Sequence, residues 1–496
     1  MPPPFTPLCI DGQWVPSSTN ATFDVTNPAS GQVVGQAASA SSEDCKAAVD
    51  SAAKAFETWE HSTNGERAAI FIKAAELAAT EKYKAKIVET TGEETGAMEY
   101  WCMFNAMIAR GALMGAAGLV NQLTGQTLPS AVPGAKVEVH RRAAGVILSI
   151  APWNAPFALT LRAVAVPILC GNTVVLKSSE YSPRSQAVAV ELLHEAGLPR
   201  GVLNYVSMSR EAAPALTAEL IAHPKVRKVN FTGSDRVGRI IAMEAAKHLK
   251  PCILELGGKA PVVVLDDAPV SDAAKAIVHG AMAHSGQVCM STERVIVQRG
   301  VAQPLVAAVR ELCASESLPK LGPLFSEASA ENVVRLVKEA VGKGAELVLG
   351  DMERRGCVVG PHVLLGVQPG KGMELWERES FGPVVAFAVV DTKEEAVELA
   401  NDSEYSLTAS VWTKDIYAAN EVASRIRAGY VNINGSTIHS EPLAGLRGLG
   451  PQFPDVRSPF VLGRGASGYG RFDVDGFTDL RVVVTHPPGR RYPPFS

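Results

Sequence analysis

Between residues 41 and 120 the apolar positions recur at helical spacing. From about residue 145 the pattern changes to short, near-continuous apolar runs separated by helix-length segments. The first stretch predicts three helices. Ser42 serves as a cap for a segment opening at Glu43, Asn64 caps a longer one that stops at Gly92, and a third lies around 94–120. The runs GVILSI, TVVLK (173–177), VLNYV (202–206), VRKVNF (226–231) and ILEL (253–256) read as strands. Apolar strands alternating with helices predict a parallel sheet covered on both faces.

A second set follows: VVVLD, a helix near 271–284, VIV, helices at 303–313 and 331–343, then VVAFAVV, TASVW and YVNIN. The fold class is therefore α/β, with two parallel-sheet lobes and a cleft between them. The passage 445–462, GLRGLGPQFPDVRSPFVL, has no periodicity and is rich in Gly and Pro.

Composition narrows the classes of function. With 47% hydrophobic and 20% charged residues the chain has ordinary globular usage, which excludes disordered and fibrous classes. A net charge of -4 without a Lys/Arg block gives no source for a grip on nucleic acid. The N-terminus lacks a basic region followed by an apolar run, and no apolar stretch reaches the ~20 residues of a membrane span, so a cytosolic protein without a membrane partner is expected. The eight cysteines are scattered, with no CxxC pair and no zinc-like spacing, so no metal is implied and the thiols are expected to be reduced.

One thiol stands apart. In HSGQVCMSTER (284–294) Cys289 sits among Gly, Gln, Ser and Thr, whereas a free cysteine is ordinarily a small buried hydrophobe. A reactive thiol needs room for approach and donors that lower its pKa, and Gly286 and Ser291 suit that need. Elsewhere, LELGGKAP places Glu255 at a strand end before a Gly-Gly turn, where it is either a base or a salt-bridged structural residue. APWNAPFAL places Asn154 between prolines, as a turn former or as a donor into the cleft. VNFTGSDRVG runs a strand into a Gly-Ser turn at a helix start, which is an anion-binding arrangement. GRGASG (463–468) matches a dinucleotide fingerprint in spacing, but no strand precedes it and no helix follows.

HSGQVCMSTER, LELGGK, FTGS, APWN, LKSSE (176–180) and ESFGPV (379–384) occur together in the order that resembles the NAD(P)-dependent aldehyde dehydrogenase superfamily, over nearly the full chain. TGEETGAMEYWCMFN, LRAVAVPILCGNTVVLK and CMSTERVIV are most similar to its salicylaldehyde and vanillin dehydrogenase branch. The resemblance implies oxidation of an aldehyde, with an aromatic one expected, through a thiohemiacetal and a thioester on Cys289. Asn154 would hold the oxyanion together with the Cys289 backbone N–H, and Glu255 would activate water.

It further implies a cofactor site made of Trp153, Lys177, Glu180, Gly233, Ser234, Leu256, Glu379 and Phe381. Glu180 would accept from both adenosine ribose hydroxyls and repel a 2′-phosphate, favouring NAD over NADP. Arg162, about two helical turns beyond Asn154, could bond a ring hydroxyl, and Trp101 could stack on an aromatic substrate. On the pattern alone, packing or surface roles outweigh substrate contact for both. His284 and Cys289, five residues apart on one helix, would face different ways, which argues against a Cys-His enzyme.

The domains expected are an NAD-binding unit (1–123 and 144–257), a catalytic unit (258–472) and an oligomerising segment (124–143 and 473–496), in a homodimer or homotetramer. The family pattern near PFGG is absent from 445–462, so that passage is either a genuine loop insertion beside the substrate mouth or a stretch that should have been removed from the transcript before translation. The rival functions are an NAD-binding homologue without turnover and an enzyme that passes the acyl group to coenzyme A.

Overall fold

The computed structural model describes residues 3–438 and 465–489. The passage 445–462 and the end of the tail, 490–496, lie outside them. The apolar runs of the first half form an eight-stranded sheet ordered Gly468–Tyr469, Cys252–Glu255, Val226–Thr232, Val146–Ile150, Thr173–Lys177, Leu203–Val206, Leu8–Ile10 and Gln13–Val15. Neighbours from Cys252–Glu255 to Leu203–Val206 run parallel, and the outer pairs run antiparallel.

Alternate residues of these strands feed opposite faces. Ile147, Val174, Leu176 and Leu203 join one core, with helices that include Asn64–Ala78, Glu99–Gly118, Pro156–Leu169 and Pro183–Glu195. Leu148, Ile150, Val175 and Val229 join another, with Ser42–Trp59 and Asp235–Lys247. Because both faces are covered, every position of Val146–Ile150 and Thr173–Lys177 is buried.

The second lobe is a seven-stranded sheet ordered Glu346–Leu349, His362–Leu365, Val384–Val390, Thr292–Gln298, Ala260–Val264, Thr408–Trp412 and Tyr430–Ile433, parallel except for its first pair. A third sheet is small and antiparallel. Thr478–Thr485 pairs with Lys136–Ala143, which pairs with Gln126–Leu128.

Several local expectations are corrected. Ser41, not Ser42, caps the first helix in a capping box with Asp44. Thr63, not Asn64, caps the next in the same way with Glu66. The long helix expected to Gly92 is two, Asn64–Ala78 and Glu81–Thr95. The helix expected over 271–284 ends at Met282, because His284 and Ser285 take left-handed φ of 49° and 57°. His284 and Cys289 therefore do not share a helix. The segment Glu99–Gln122 is, against expectation, long and apolar enough by composition to cross a membrane. In the fold it packs against Asn64–Ala78, Glu81–Thr95 and Pro156–Leu169, with Ala106, Ala109 and Leu113 in the core.

Candidate active site

The parallel strands Val146–Ile150, Val226–Thr232 and Cys252–Glu255 end on one edge of the first sheet, the edge at which such sheets bind ligands. Asn154 follows the first, Gly233 and Ser234 follow the second, and Glu255 ends the third. The residues after Glu255 cross into the second sheet, whose strand Thr292–Gln298 starts just beyond Cys289. The crossing is tight. A Cβ on Gly258 would lie 2.1 Å from the Cys289 carbonyl oxygen, and one on Gly257 would lie 2.6 Å from Glu379 Oε2. The Gly-Gly turn thus lets three elements meet where any side chain would hold them apart.

The nucleophile loop is held by its own polar groups. The Gln287 side chain donates to the carbonyls of His284 and Pro323, each at 3.1 Å, and accepts from Phe325 N at 2.9 Å. Gly286 gives no room for approach as expected, because its open side lies against the Gly382 backbone, 2.0 Å from where a Cβ would stand. Ser291 is no donor to the thiol either, since its hydroxyl donates to the Gly286 carbonyl at 3.0 Å.

Cys289 is partly exposed, as is Cys357, while the other described cysteines are buried and all are free. Its thiol is not lowered in pKa as expected. Desolvation, followed by the negative charge of Glu255, pushes it up to about 12, with the charge of Arg162 acting in the opposite direction.

Asn154 is buried and donates one side-chain N–H to the Gln287 carbonyl at 3.0 Å. An amide nitrogen carries two hydrogens, so one remains for an oxyanion beside Cys289. Glu255 is buried and paired with Arg162, whose Nη2 contacts Oε2. Asn154, Glu255 and Cys289 are therefore brought together.

Glu379 accepts from Gly258 N at 2.8 Å. Desolvation and the nearby Glu293 push its carboxyl up to about 8. Phe381 adopts a left-handed φ of 50°, and Glu293 holds that turn by accepting from Ser380 N at 3.0 Å and Phe381 N at 3.4 Å. Glu293 is itself paired with the fully buried Lys259. Sequence reasoning missed Lys259, Glu293 and Gln287. The only signal was their placement inside GGK and GQVCMSTE, because partners so far apart in the chain leave no periodic trace.

The remaining cofactor candidates line the same edge. Gly233 N donates to the Glu255 carbonyl at 3.0 Å, and Ser234 caps the helix Asp235–Lys247. Leu256 is buried against Gly238 of that helix. Lys177 is buried at the end of its strand and donates to the Ser178 carbonyl at 2.9 Å. Burial lowers its pKa and Glu180 acts to raise it. Trp153 packs on Phe325 at 4.4 Å and edge-on to Phe381 at 6.0 Å between ring centroids. A helix N-terminus with a Gly-Ser turn, a buried ammonium with donors to spare and a carboxylate beyond it fit the pyrophosphate and ribose of a dinucleotide. The described part of the GRGASG segment, 465–468, does not join them. Ser467 Oγ donates to the Gly257 carbonyl at 2.7 Å, and Gly468–Tyr469 pairs with the Glu255 strand.

Both substrate candidates lie beside the catalytic candidates and are engaged by protein groups. Arg162 is engaged with Glu255, and Trp101 is buried, stacked on His284 and Phe104 at 4.9 and 5.0 Å, with its N–H donated to the Asn154 carbonyl at 2.8 Å. His284 remains neutral, because burial pushes its imidazole down to about 3.

Comparison with known proteins agrees with this geometry. The family model described as the aldehyde dehydrogenase family matches residues 14–450. A vanillin dehydrogenase of Pseudomonas fluorescens is 41% identical over 498 residues, covering 98% of this chain and 99% of its own. A salicylaldehyde dehydrogenase of Pseudomonas putida is 38% identical with the same coverage. The crystal structure of a salicylaldehyde dehydrogenase from Pseudomonas putida G7 in complex with salicylaldehyde superposes with a TM-score of 0.92 at 38% identity, over 99% of this chain and 100% of that one.

Proposed function

The chain belongs to the aldehyde dehydrogenase family, and we propose from that premise that it oxidises an aromatic aldehyde to its carboxylic acid with NAD. The observation that carries this reading is the meeting of a partly exposed thiol, an amide with one free N–H and a buried carboxylate at the junction of two sheets. The names of the relatives support direct oxidation over acyl transfer to coenzyme A, and an aromatic substrate over an aliphatic one.

In this reading Cys289 Sγ bonds to the aldehyde carbon as its proton leaves to the adjacent carboxylate. The carbonyl electron pair moves onto oxygen, where the free N–H of Asn154 and the Cys289 backbone N–H receive it. A bound NAD supplies the acceptor for the hydrogen and electron pair that leave the carbon. The product on Cys289 is a thioester. Glu255, having passed the thiol proton to solvent, then removes a proton from water as the water oxygen bonds to the carbonyl carbon; the C–S bond breaks, that proton returns to the Cys289 sulfur, and the acid departs.

For the cofactor, Lys177 and Glu180 would hold the adenosine ribose, Gly233, Ser234 and Leu256 the pyrophosphate side, and Trp153, Glu379 and Phe381 the nicotinamide side. Glu180 disfavours a 2′-phosphate, which makes NAD the proposed partner over NADP. The first sheet is the proposed NAD-binding unit and the second the catalytic one. The third sheet, with Leu480, Val482 and Val484 exposed, is proposed to join subunits of a homo-oligomer. The free cysteines suit the reducing cytosol.

The test is to incubate the protein with NAD and salicylaldehyde, vanillin or benzaldehyde and follow the absorbance of reduced nicotinamide. Turnover with any of them, not accelerated by coenzyme A, supports the reading. NAD binding without turnover of any aldehyde would overturn it.

A further inference from the structure

Arg162 sits in the helix Pro156–Leu169, which begins just after Asn154. Its guanidinium is held from three directions. Nη2 pairs with Glu255 Oε2 and donates to Thr232 Oγ1 at 3.4 Å, and the guanidinium carbon lies 5.4 Å from the centroid of the Phe472 ring. Thr232 and Glu255 are register partners at the ends of adjacent parallel strands. The arginine is thus fixed by the same sheet edge that carries the base. Apart from this ion pair, Glu255 Oε2 has no hydrogen-bond partner among the described residues.

A buried carboxylate with one partner takes its orientation from that partner, and losing it leaves an uncompensated charge. The geometry points to Arg162 as a positioning residue for Glu255, and not as a reader of substituents on the aldehyde ring. This inference rests on the function proposed above, because it needs Glu255 to be the base of the deacylation step. With Oε2 anchored to the guanidinium, Oε1 is the oxygen left to take the proton from water. That water's oxygen bonds to the thioester carbon, and the Cys289 thiolate departs as the C–S bond breaks. The same guanidinium opposes the negative charge of Glu255 at the thiol.

The test uses Arg162→Gln and Arg162→Lys with three substrates. 4-Nitrophenyl acetate acylates a reactive thiol without any cofactor. Benzaldehyde has no ring hydroxyl, and salicylaldehyde has one. In Arg162→Gln the first turnover of the ester persists while later turnovers slow by about a hundredfold, the scale of a displaced catalytic group. The kcat for the two aldehydes falls by a common factor, KM falls with it because acylation is intact, and Arg162→Lys recovers part of each loss.

A loss confined to the KM for salicylaldehyde, with ester turnover intact, would overturn the inference and return Arg162 to ring recognition. If Arg162→Gln does not fold, the same comparison in Arg162→Lys decides. If the unaltered enzyme oxidises neither aldehyde yet the variants still stall on the ester, the substrate reading has failed while the role of Arg162 stands.

Discussion

The Trp101 indole lies nearly parallel to the His284 imidazole, with centroids 4.9 Å apart and planes 5° from parallel. One residue is in the helix Glu99–Gly118, and the other is in the left-handed turn before Cys289. The indole N–H also reaches the Asn154 carbonyl, so a single ring braces both the nucleophile loop and the oxyanion donor. Trp101→Phe keeps an aromatic ring but loses that N–H. It should lower kcat by roughly three- to tenfold, the range of one net hydrogen bond, with KM for benzaldehyde unchanged. Steady-state kinetics checks this; a raised KM at constant kcat would instead place the ring against the substrate.

Asn154→Ala removes the free amide hydrogen together with the bond to the Gln287 carbonyl. Loss of one oxyanion donor costs about a hundredfold or more in kcat. NAD affinity, measured by calorimetry, should stay nearly constant, because the amide is engaged with the nucleophile loop through the Gln287 carbonyl.

The thiol of Cys289 is pushed up to about 12 by burial in the protein alone. Desolvation favours the neutral form, so the thiolate fraction, and with it the rate of alkylation, should rise about tenfold per pH unit and show no plateau near the ordinary thiol value. Iodoacetamide labelling of the Cys289 peptide, followed by mass spectrometry, measures it. Adding NAD brings a cationic ring and should accelerate labelling at fixed pH.

Much of this arrangement could be read from the sequence. The apolar runs that became Thr173–Lys177 and Val226–Thr232 were legible because a strand buried on both faces leaves an unbroken signature. Cys289, Glu255 and Asn154 stood out because each is a polar or reactive side chain within a few residues of Gly or Pro near the start or end of a strand, and the structure brings them to one junction. The true caps, Ser41 and Thr63, sit one residue earlier than expected, since adjacent Ser, Thr and Asn compete for the same role. The Arg162–Glu255 pair and the stacking of Trp101 on His284 were hidden, because each joins residues far apart in the chain whose meeting depends on tertiary packing. The high thiol pKa is hidden in the sequence for a related reason. Ser291 and Gln287 are polar neighbours of the thiol in the chain, yet they spend their hydrogen bonds on the loop itself.

Glu379 offers a stability test. Its carboxyl is raised from 4.5 to about 8, so the folded enzyme holds this proton more tightly than the unfolded chain does. The contribution is full below pH 4.5 and is lost as pH rises through about 8. Glu379→Gln is permanently neutral, so thermal melts of the two proteins should diverge in favour of the variant across that window and run parallel above it. A constant difference at all pH values would mean that Glu379 does not titrate in this range.

The central claim is that Cys289 carries the oxidised substrate and Glu255 releases it. The direct measurement is to mix Glu255→Gln with NAD and benzaldehyde, quench within the first turnover, and weigh the Cys289 peptide. The account predicts a benzoyl group on that peptide, in step with the NADH formed and followed by a stall. NADH formation that continues at an undiminished rate with Cys289 unmodified would contradict it.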